Sequence, residues 1–100
     1  MKRYRLIVSG PAQADLHQIF DYIQADNPSA AQKFINQIDA SISRLASFPL
    51  SGKMLRDESL QAKGYRVLTV EDYLAFYKVT GRKVTVLRVI QGRRNYLFLF

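Results

Sequence analysis

The sequence predicts an α+β fold, in which two helices form an antiparallel hairpin on one face of a β-sheet. In the first half, two consecutive segments repeat their apolar residues with the period of a helix. The second half is rich in Val, Tyr, Phe and Thr, and its segments have the length and spacing of strands. The chain has 100 residues, which is enough for one hydrophobic core. We therefore expect residues 1–100 to form a single domain.

The chain opens with a predicted strand and a predicted helix. The alternation in "RYRLIVSG" indicates a short strand that ends at Gly10. Ser9 or Gly10 is expected to cap the helix that follows, and Pro11 suits its first turn. The apolar residues of this helix fall on one stripe: Ala12, Leu16, Ile19, Phe20 and Ile23.

A second helix is predicted to follow almost at once. Asn27 is its expected N-cap and Pro28 its first residue. Its apolar stripe is longer: Ala31, Phe34, Ile35, Ile38, Ile42 and Leu45. Pro49 blocks any continuation, and residues 50–63 are expected to form a polar connector. The short turn between the helices predicts a hairpin.

Three further strands are predicted in "YRVLTV", "YLAFYKV" and "KVTVLRVI", with turns at "EDY" and "TGRK". Gly81-Arg82 suits a two-residue hairpin loop with glycine first. The last strand is apolar on both faces, which is typical of a central strand. Simple alternation assigns its residues as follows: Val84, Val86, Arg88 and Ile90 to one face, Leu87 and Val89 to the other. A charge at Arg88 must then lie near a rim, be paired or be functional.

Charge is the first indication of function. There are 15 Lys and Arg residues against 8 Asp and Glu, a net charge of +7, and no acidic residue follows Tyr73. This asymmetry favours an anionic partner, either nucleic acid or an acidic protein segment, over a surface that is merely solubilising. The chain has no cysteine, no signal-peptide core and no stretch of membrane-spanning length. We expect a soluble cytoplasmic protein without a membrane partner.

The residues that could carry chemistry are arginines and tyrosines. The sequence has no metal-ligand spacing, no glycine-rich phosphate loop and no nucleophile elbow, and His17 is interpreted as structural or surface-exposed. We therefore expect neither a metal nor a cofactor. The remaining set is Arg66, Arg88, Arg93, Arg94, Tyr65, Tyr73, Tyr77 and Tyr96. Arginine matches phosphate geometry, and tyrosine can stack on a base or transfer a proton. Alternatively, the strand tyrosines pack in the core, and Arg66 and Arg88 pair with Glu71 or Asp72.

Four stretches in order, "YRLIVSGPAQADLHQIFDYI", "FP", "GYRVLTVEDYLAFYKV" and "VTVLRVIQGRRNY", together resemble the RelE/ParE superfamily of toxins from bacterial type II toxin–antitoxin systems. The resemblance covers nearly the whole chain and is closer to the ParE-like branch. It implies a twisted, mainly antiparallel sheet of about four strands under the helical hairpin. It also implies growth arrest by the toxin and a cognate antitoxin protein that neutralises it.

The superfamily contains two activities. ParE-like toxins inhibit DNA gyrase, whereas RelE-like toxins cleave mRNA on the ribosome without a metal. In the second case the resemblance assigns catalysis to Arg66, Arg93 and Tyr96, with Arg94 as the less favoured alternative to Arg93. Leu74, however, stands where those nucleases usually have an arginine. The stretch "RVIQGRRN" resembles the ParE-like ending, although Gln91 replaces its histidine and Asn95 its aspartate. The resemblance therefore favours gyrase as the target, with the ribosome and its mRNA as the alternative.

The stretch "QGRRNY" is predicted to be a basic turn at the rim of the sheet and the working surface, and we call it the basic rim. Its basic residues, together with Arg88, are expected to meet an anionic target or acidic residues of the antitoxin. The residues assigned to binding are Arg88, Arg93, Arg94, Leu97, Phe98 and Phe100. The apolar tail either packs against the core or binds an apolar antitoxin segment.

Overall fold

The computed structural model describes residues 3–92 and has the expected α+β architecture. Its elements, in chain order, are β1 (Arg5–Val8), α1 (Gly10–Asp26), α2 (Pro28–Ser43), a 3₁₀ turn (Arg44–Ala46), β2 (Lys53–Met54), α3 (Glu58–Ala62), β3 (Tyr65–Val70), β4 (Tyr73–Thr80) and β5 (Lys83–Gln91). The sheet has five strands in the order β1-β5-β4-β3-β2, one more than expected. β1 runs parallel to β5, and the other neighbours are antiparallel.

Both long helices begin at the predicted caps. The Ser9 hydroxyl accepts a hydrogen bond from the Ala12 N–H (3.2 Å) and donates one to the Leu87 carbonyl (3.0 Å), so the cap also ties α1 to β5. Asn27 ends one helix and begins the next. Its N–H donates to the Ile23 carbonyl, and its Oδ1 accepts from the Ala30 N–H. This double role makes the connection between α1 and α2 as short as the sequence predicts.

The predicted polar connector over residues 50–63 also contains secondary structure and buried apolar residues that were not predicted from the sequence. This stretch contains the two-residue strand β2, which pairs with β3, and the short helix α3. The Asp57 carboxylate caps α3 by accepting from the Leu60 N–H (3.1 Å), and Leu60 is buried. Both elements are shorter than the windows in which hydrophobic periodicity can be recognised, and tertiary contacts stabilise them.

Apolar side chains cover both faces of the sheet in its centre. The helix-side cluster contains Ala12, Phe34, Ile38, Ile42, Leu45, Val70, Ala75, Tyr77, Val84, Val86 and Val89. A second cluster contains Leu55, Leu60, Phe76 and Ile90. The two largest fully buried side chains, Phe76 and Tyr77, are adjacent on β4 and belong to different clusters. Phe20, predicted in the apolar stripe, is half-buried and lines an outward groove between α1 and α2 with His17 and Ile35.

A bulge in β5 overturns the predicted faces of its last residues. Tyr77 lies opposite Val86 and Phe76 lies opposite Arg88, so Leu87 has no residue opposite it on β4. An extra residue in one strand shifts the alternation by one position. Val89 therefore joins the helix-side cluster, and Ile90 joins the second cluster. Simple alternation had placed them the other way round.

Two tight turns connect the last three strands. The Gly81-Arg82 turn joins β4 to β5, and Gly81 has φ +59°, as the glycine-first loop requires. The Glu71-Asp72 turn joins β3 to β4, and Glu71 also has a positive φ of 53° although it carries a side chain. The left-handed region is unfavourable for such a residue, so this turn holds some backbone strain.

Candidate functional site

Arg88 is held by a carboxylate from α1. Its Nε donates to Asp15 Oδ2 (2.7 Å) and its Nη2 donates to Asp15 Oδ1 (3.0 Å). The Val89 N–H donates to the same Oδ2 (2.9 Å). The hydrogen bond to Asp15 raises the pKa of Arg88. These contacts join α1 to β5 directly after the bulge, so Arg88 is a positioned charge.

The predicted pairing of Arg88 with Glu71 or Asp72 is therefore wrong. Its partner lies 73 residues away in the sequence, because α1 packs across β5. Among the described residues, Asp15 is the one charged residue that is buried, with 9% exposed. The sequence did contain a sign of this, since Asp15 falls between Ala12 and Ile19 on the apolar side of the helix. A carboxylate at such a position needs a partner.

A groove lies beside this ion pair, between α1 and the end of β5. Its other polar and aromatic lining residues are Gln18, Tyr22, Tyr73 and Gln91. Tyr22 is 81% exposed, whereas Tyr73 is half-buried and its ring packs at a steep angle against that of Phe34 (4.9 Å between centroids). Burial and, secondarily, the charge of Asp72 raise the pKa of Tyr73, so its hydroxyl stays protonated and can donate. The groove offers amides, phenols and one arginine to a partner.

The predicted basic rim begins where this groove ends. The Gly92 N–H donates to the Asp72 carbonyl (2.8 Å), and a Cβ at position 92 would lie 3.1 Å from that oxygen. A glycine therefore allows the end of β5 to lie close over the β3–β4 turn. The predicted site residues further along are outside the described residues: Arg93, Arg94, Tyr96, Leu97, Phe98 and Phe100. Their assigned roles stay predictions.

Arg66 and Tyr77 hold the loop that follows α2. Arg66 Nη1 donates to the carbonyls of Gly52 (2.8 Å) and Leu50 (3.3 Å). The Tyr77 hydroxyl donates to the Pro49 carbonyl (2.8 Å) and accepts from the Gly52 N–H (2.9 Å). Tyr77 is fully buried, as the core interpretation of the strand tyrosines predicts, and burial raises its pKa. The predicted pairing of Arg66 with an acid is wrong, because backbone carbonyls take that place.

Sequence reasoning missed Gly52, which this loop requires. A Cβ there would lie 2.5 Å from the Tyr77 hydroxyl oxygen and 2.8 Å from the Val67 carbonyl. Arg66 and Arg88 are also not brought together. β4 lies between their strands, and one arginine binds the loop while the other binds α1. Within residues 3–92, no three His, Cys, Asp or Glu side chains are grouped to hold a metal ion.

The chain matches the family of the ParE toxin of the type II toxin–antitoxin system, parDE, over residues 6–96. It belongs to this ParE toxin family. Toxin ParE3 of Caulobacter vibrioides is 32% identical over 92 residues, covering 91% of this chain and 89% of that protein. Toxin ParE1 of Mycobacterium tuberculosis is 31% identical over 93 residues, covering 91% and 92%. The resemblance to the RelE/ParE superfamily is confirmed.

Solved structures agree with this membership. A structure of the chromosomal ParDE toxin–antitoxin system from P. aeruginosa matches with a TM-score of 0.74 and 26% identity, covering 91% of this chain and 98% of that one. The RelBE2 toxin–antitoxin complex from Mycobacterium tuberculosis matches with a TM-score of 0.62 and 24% identity, covering 91% and 93%. The second likeness concerns the fold alone. In the described part of this ParE-family chain, no helix combines the length and apolar character needed to cross a membrane.

The two positions at which the sequence was expected to depart from the superfamily's patterns, Leu74 and Gln91, lie on neighbouring strands. Leu74, on β4, is partly buried against the second apolar cluster and lies opposite Ile90. Gln91, at the end of β5, is exposed and lines the groove described above. The first position is thus apolar and packed, and the second is an uncharged amide at the groove.

Proposed function

We propose that this ParE-family toxin arrests growth by inhibiting DNA gyrase and that a cognate antitoxin protein neutralises it. Membership of the family supports the toxin role, and the curated relatives that match over most of the chain are ParE toxins. The P. aeruginosa structure is of a ParDE toxin–antitoxin system, which supports an antitoxin as partner.

The packing of Leu74 is the observation that supports gyrase, rather than the ribosome and its mRNA, as the target. The side chain packs with Phe76 and Ile90 in the second apolar cluster. The resemblance places an arginine at this position in ribosome-dependent nucleases, and leucine can neither bind phosphate nor transfer a proton. Of the three candidate catalytic residues, Arg66 is the one that the structure describes. Its Nη1 donates hydrogen bonds to two loop carbonyls. This arrangement supports a protein that binds its target rather than one that cuts RNA.

In this proposal the groove and the basic rim act together. Tyr22 and Gln91 line the groove next to the position from which the chain continues to Arg93 and Arg94. Exposed tyrosines and arginines are the residues that most often anchor protein interfaces. The target therefore binds at the end of β5, with the arginines attracting an acidic surface.

The test measures gyrase inhibition and mRNA cleavage with the same preparation of the protein. Purified protein is added to gyrase with relaxed plasmid, and to a translating extract in which mRNA ends are mapped by primer extension. We expect loss of supercoiling with intact mRNA, and relief of inhibition by Arg93→Ala combined with Arg94→Ala. The control, Lys33→Ala combined with Lys53→Ala, removes the same charge from two exposed positions outside the groove.

Two results would overturn the proposal. Ribosome-dependent cleavage, abolished by Arg93→Ala with Tyr96→Phe while supercoiling proceeds, would establish the nuclease alternative. Normal growth during controlled expression without an antitoxin would contradict the toxin role itself.

A further inference from the structure

Five basic residues converge at the end of the sheet opposite the groove. Arg5 on β1 lies directly opposite Lys83 on β5, and the Arg5 N–H donates to the Arg82 carbonyl (2.8 Å). Lys78 lies on the next strand, β4, and Arg3 precedes β1. We call these five residues the basic band: Arg3, Arg5, Lys78, Arg82 and Lys83. Neighbouring strands lie about 4.8 Å apart, so the band crosses three strands within about 10 Å.

The band faces away from the helical hairpin. On β1, Leu6 packs against the helix-side cluster, and on β5, Val84 and Val86 belong to it. Alternation therefore directs Arg5 and Lys83 to the opposite face. Four members of the band are exposed: Arg3, Arg5, Arg82 and Lys83. The fifth, Lys78, is half-buried.

The charges of the band are not neutralised within the described part of the chain. There the one ion pair is that between Arg88 and Asp15. The acidic residues of the β3–β4 turn, Glu71 and Asp72, lie at the other end of the strands. Like charges directly opposite on neighbouring strands, such as Arg5 and Lys83, destabilise a sheet. A bound polyanion would relieve this repulsion.

We propose that the basic band binds the phosphate backbone of duplex DNA. The inference does not depend on gyrase inhibition, because it concerns the opposite end of the sheet. A protein partner usually buries a large apolar or aromatic anchor. Among residues 3–92, the large exposed apolar side chains lie outside the three strands that the band crosses: Tyr22, Phe48, Leu50 and Met54. A band of charge without such an anchor fits a ligand that is recognised by its phosphates.

Duplex is favoured over single-stranded nucleic acid for a similar reason. Single-strand binding relies on aromatic rings on which the bases stack. Tyr4 lies between Arg3 and Arg5 but packs against the helix-side cluster, and the Lys78 ammonium lies 5.1 Å from the centroid of the Tyr65 ring. That face of the Tyr65 ring is occupied, so the exposed groups of the band are cations: Arg3, Arg5, Arg82 and Lys83.

The experiment measures fluorescence anisotropy of a labelled DNA duplex of about 20 base pairs at ionic strengths from about 50 to 200 mM. Arg5→Gln, Arg82→Gln and Lys83→Gln are combined in one variant. The matched control combines Lys33→Gln, Lys53→Gln and Arg56→Gln, which removes three exposed charges elsewhere. We expect the slope of log affinity against log salt to fall by about 2 to 3 in the band variant and to change little in the control.

A single variant separates binding from folding. Lys83→Glu places an acid opposite Arg5, so the sheet should be at least as stable, while duplex binding should fall about tenfold or more. Equal losses in the band variant and the control would show that net charge alone drives binding and would overturn the proposal. So would tighter binding of single-stranded DNA or of duplex RNA, or displacement of the duplex by polyglutamate at equal charge.

Discussion

Removing the carboxylate of Asp15 should destabilise this protein more than any other change to a charged residue in α1. Asp15→Asn keeps the size of the side chain but loses the charge that pairs with Arg88. The wild-type carboxylate accepts three hydrogen bonds, two from Arg88 and one from the Val89 N–H. The carboxylate is buried where α1 packs against β5, whereas the Arg88 side chain is partly exposed.

The magnitude follows from two terms. Asparagine keeps one acceptor oxygen and presents an NH2 group in place of the other, so at least one of the three donors, from Arg88 or Val89, loses its partner, and leaving such a donor unsatisfied costs about 1–3 kcal/mol. Breaking a buried ion pair by removing one partner costs about 3–5 kcal/mol. The Arg88 side chain is 37% exposed, so solvent recovers much of the second term. We therefore expect Asp15→Asn to lower the free energy of unfolding by about 2–4 kcal/mol, and Tm by at least about 10 °C.

The measurement is urea denaturation followed by circular dichroism, with a double-mutant cycle. Asp21→Asn is the matched control, because Asp21 is exposed on the same helix, and it should change stability by less than about 0.5 kcal/mol. Combining Asp15→Asn with Arg88→Met should cost less than the sum of the single changes, since the arginine no longer loses a partner. A loss for Asp15→Asn no larger than that for Asp21→Asn, or strict additivity with Arg88→Met, would refute the reasoning.

Three further predictions test the loop, the strained turn and the tail. Tyr77→Phe removes two hydrogen bonds to loop 49–52 and should cost about 1–3 kcal/mol in urea denaturation. Burial raises the pKa of Tyr77 above the usual 10.0 in the folded protein. The stability that its protonated phenol contributes is therefore complete below about pH 10 and is lost as the pH rises through the folded pKa. Tyr77→Phe should remove this loss of stability at alkaline pH, and an unchanged alkaline profile would contradict the prediction. Glu71→Gly relieves the positive φ and should raise stability by up to about 1 kcal/mol, whereas a loss would show that the side chain itself stabilises the turn. Deleting Leu97–Phe100 should weaken antitoxin binding in calorimetry while leaving the urea midpoint unchanged; the opposite pattern would make the tail part of the core.

Local chemistry explains why the long elements were predictable. Ser9 and Asn27 combine the right side chain with the right position before a proline, so the helix starts follow from neighbours in the sequence. Gly81 is equally local, because the first position of its hairpin loop needs a positive φ. The apolar stripe of α2 is a pattern within one helix, and its members Phe34, Ile38 and Ile42 are buried as expected.

The predictions that failed concern the faces of β5 and the two short elements in residues 50–63, and both features depend on tertiary contacts. The bulge at Leu87 depends on how β5 pairs with β4, and it exchanges the faces of Val89 and Ile90. β2 and α3 are too short to leave a periodic pattern, and they exist because β3 and the second cluster provide partners.

For this protein, the sequence alone determined the order and type of the main elements, the caps, the excess of positive charge and the resemblance to ParE-like toxins. The tertiary structure decided the partners of the functional candidates. In the folded chain Arg88 forms an ion pair with Asp15, Arg66 donates hydrogen bonds to loop carbonyls, and Leu74 packs against an apolar cluster. The physical reason is that caps and periodicity act within a few residues, whereas a buried charge or donor is satisfied by whichever groups the packed helices and strands bring within hydrogen-bonding distance.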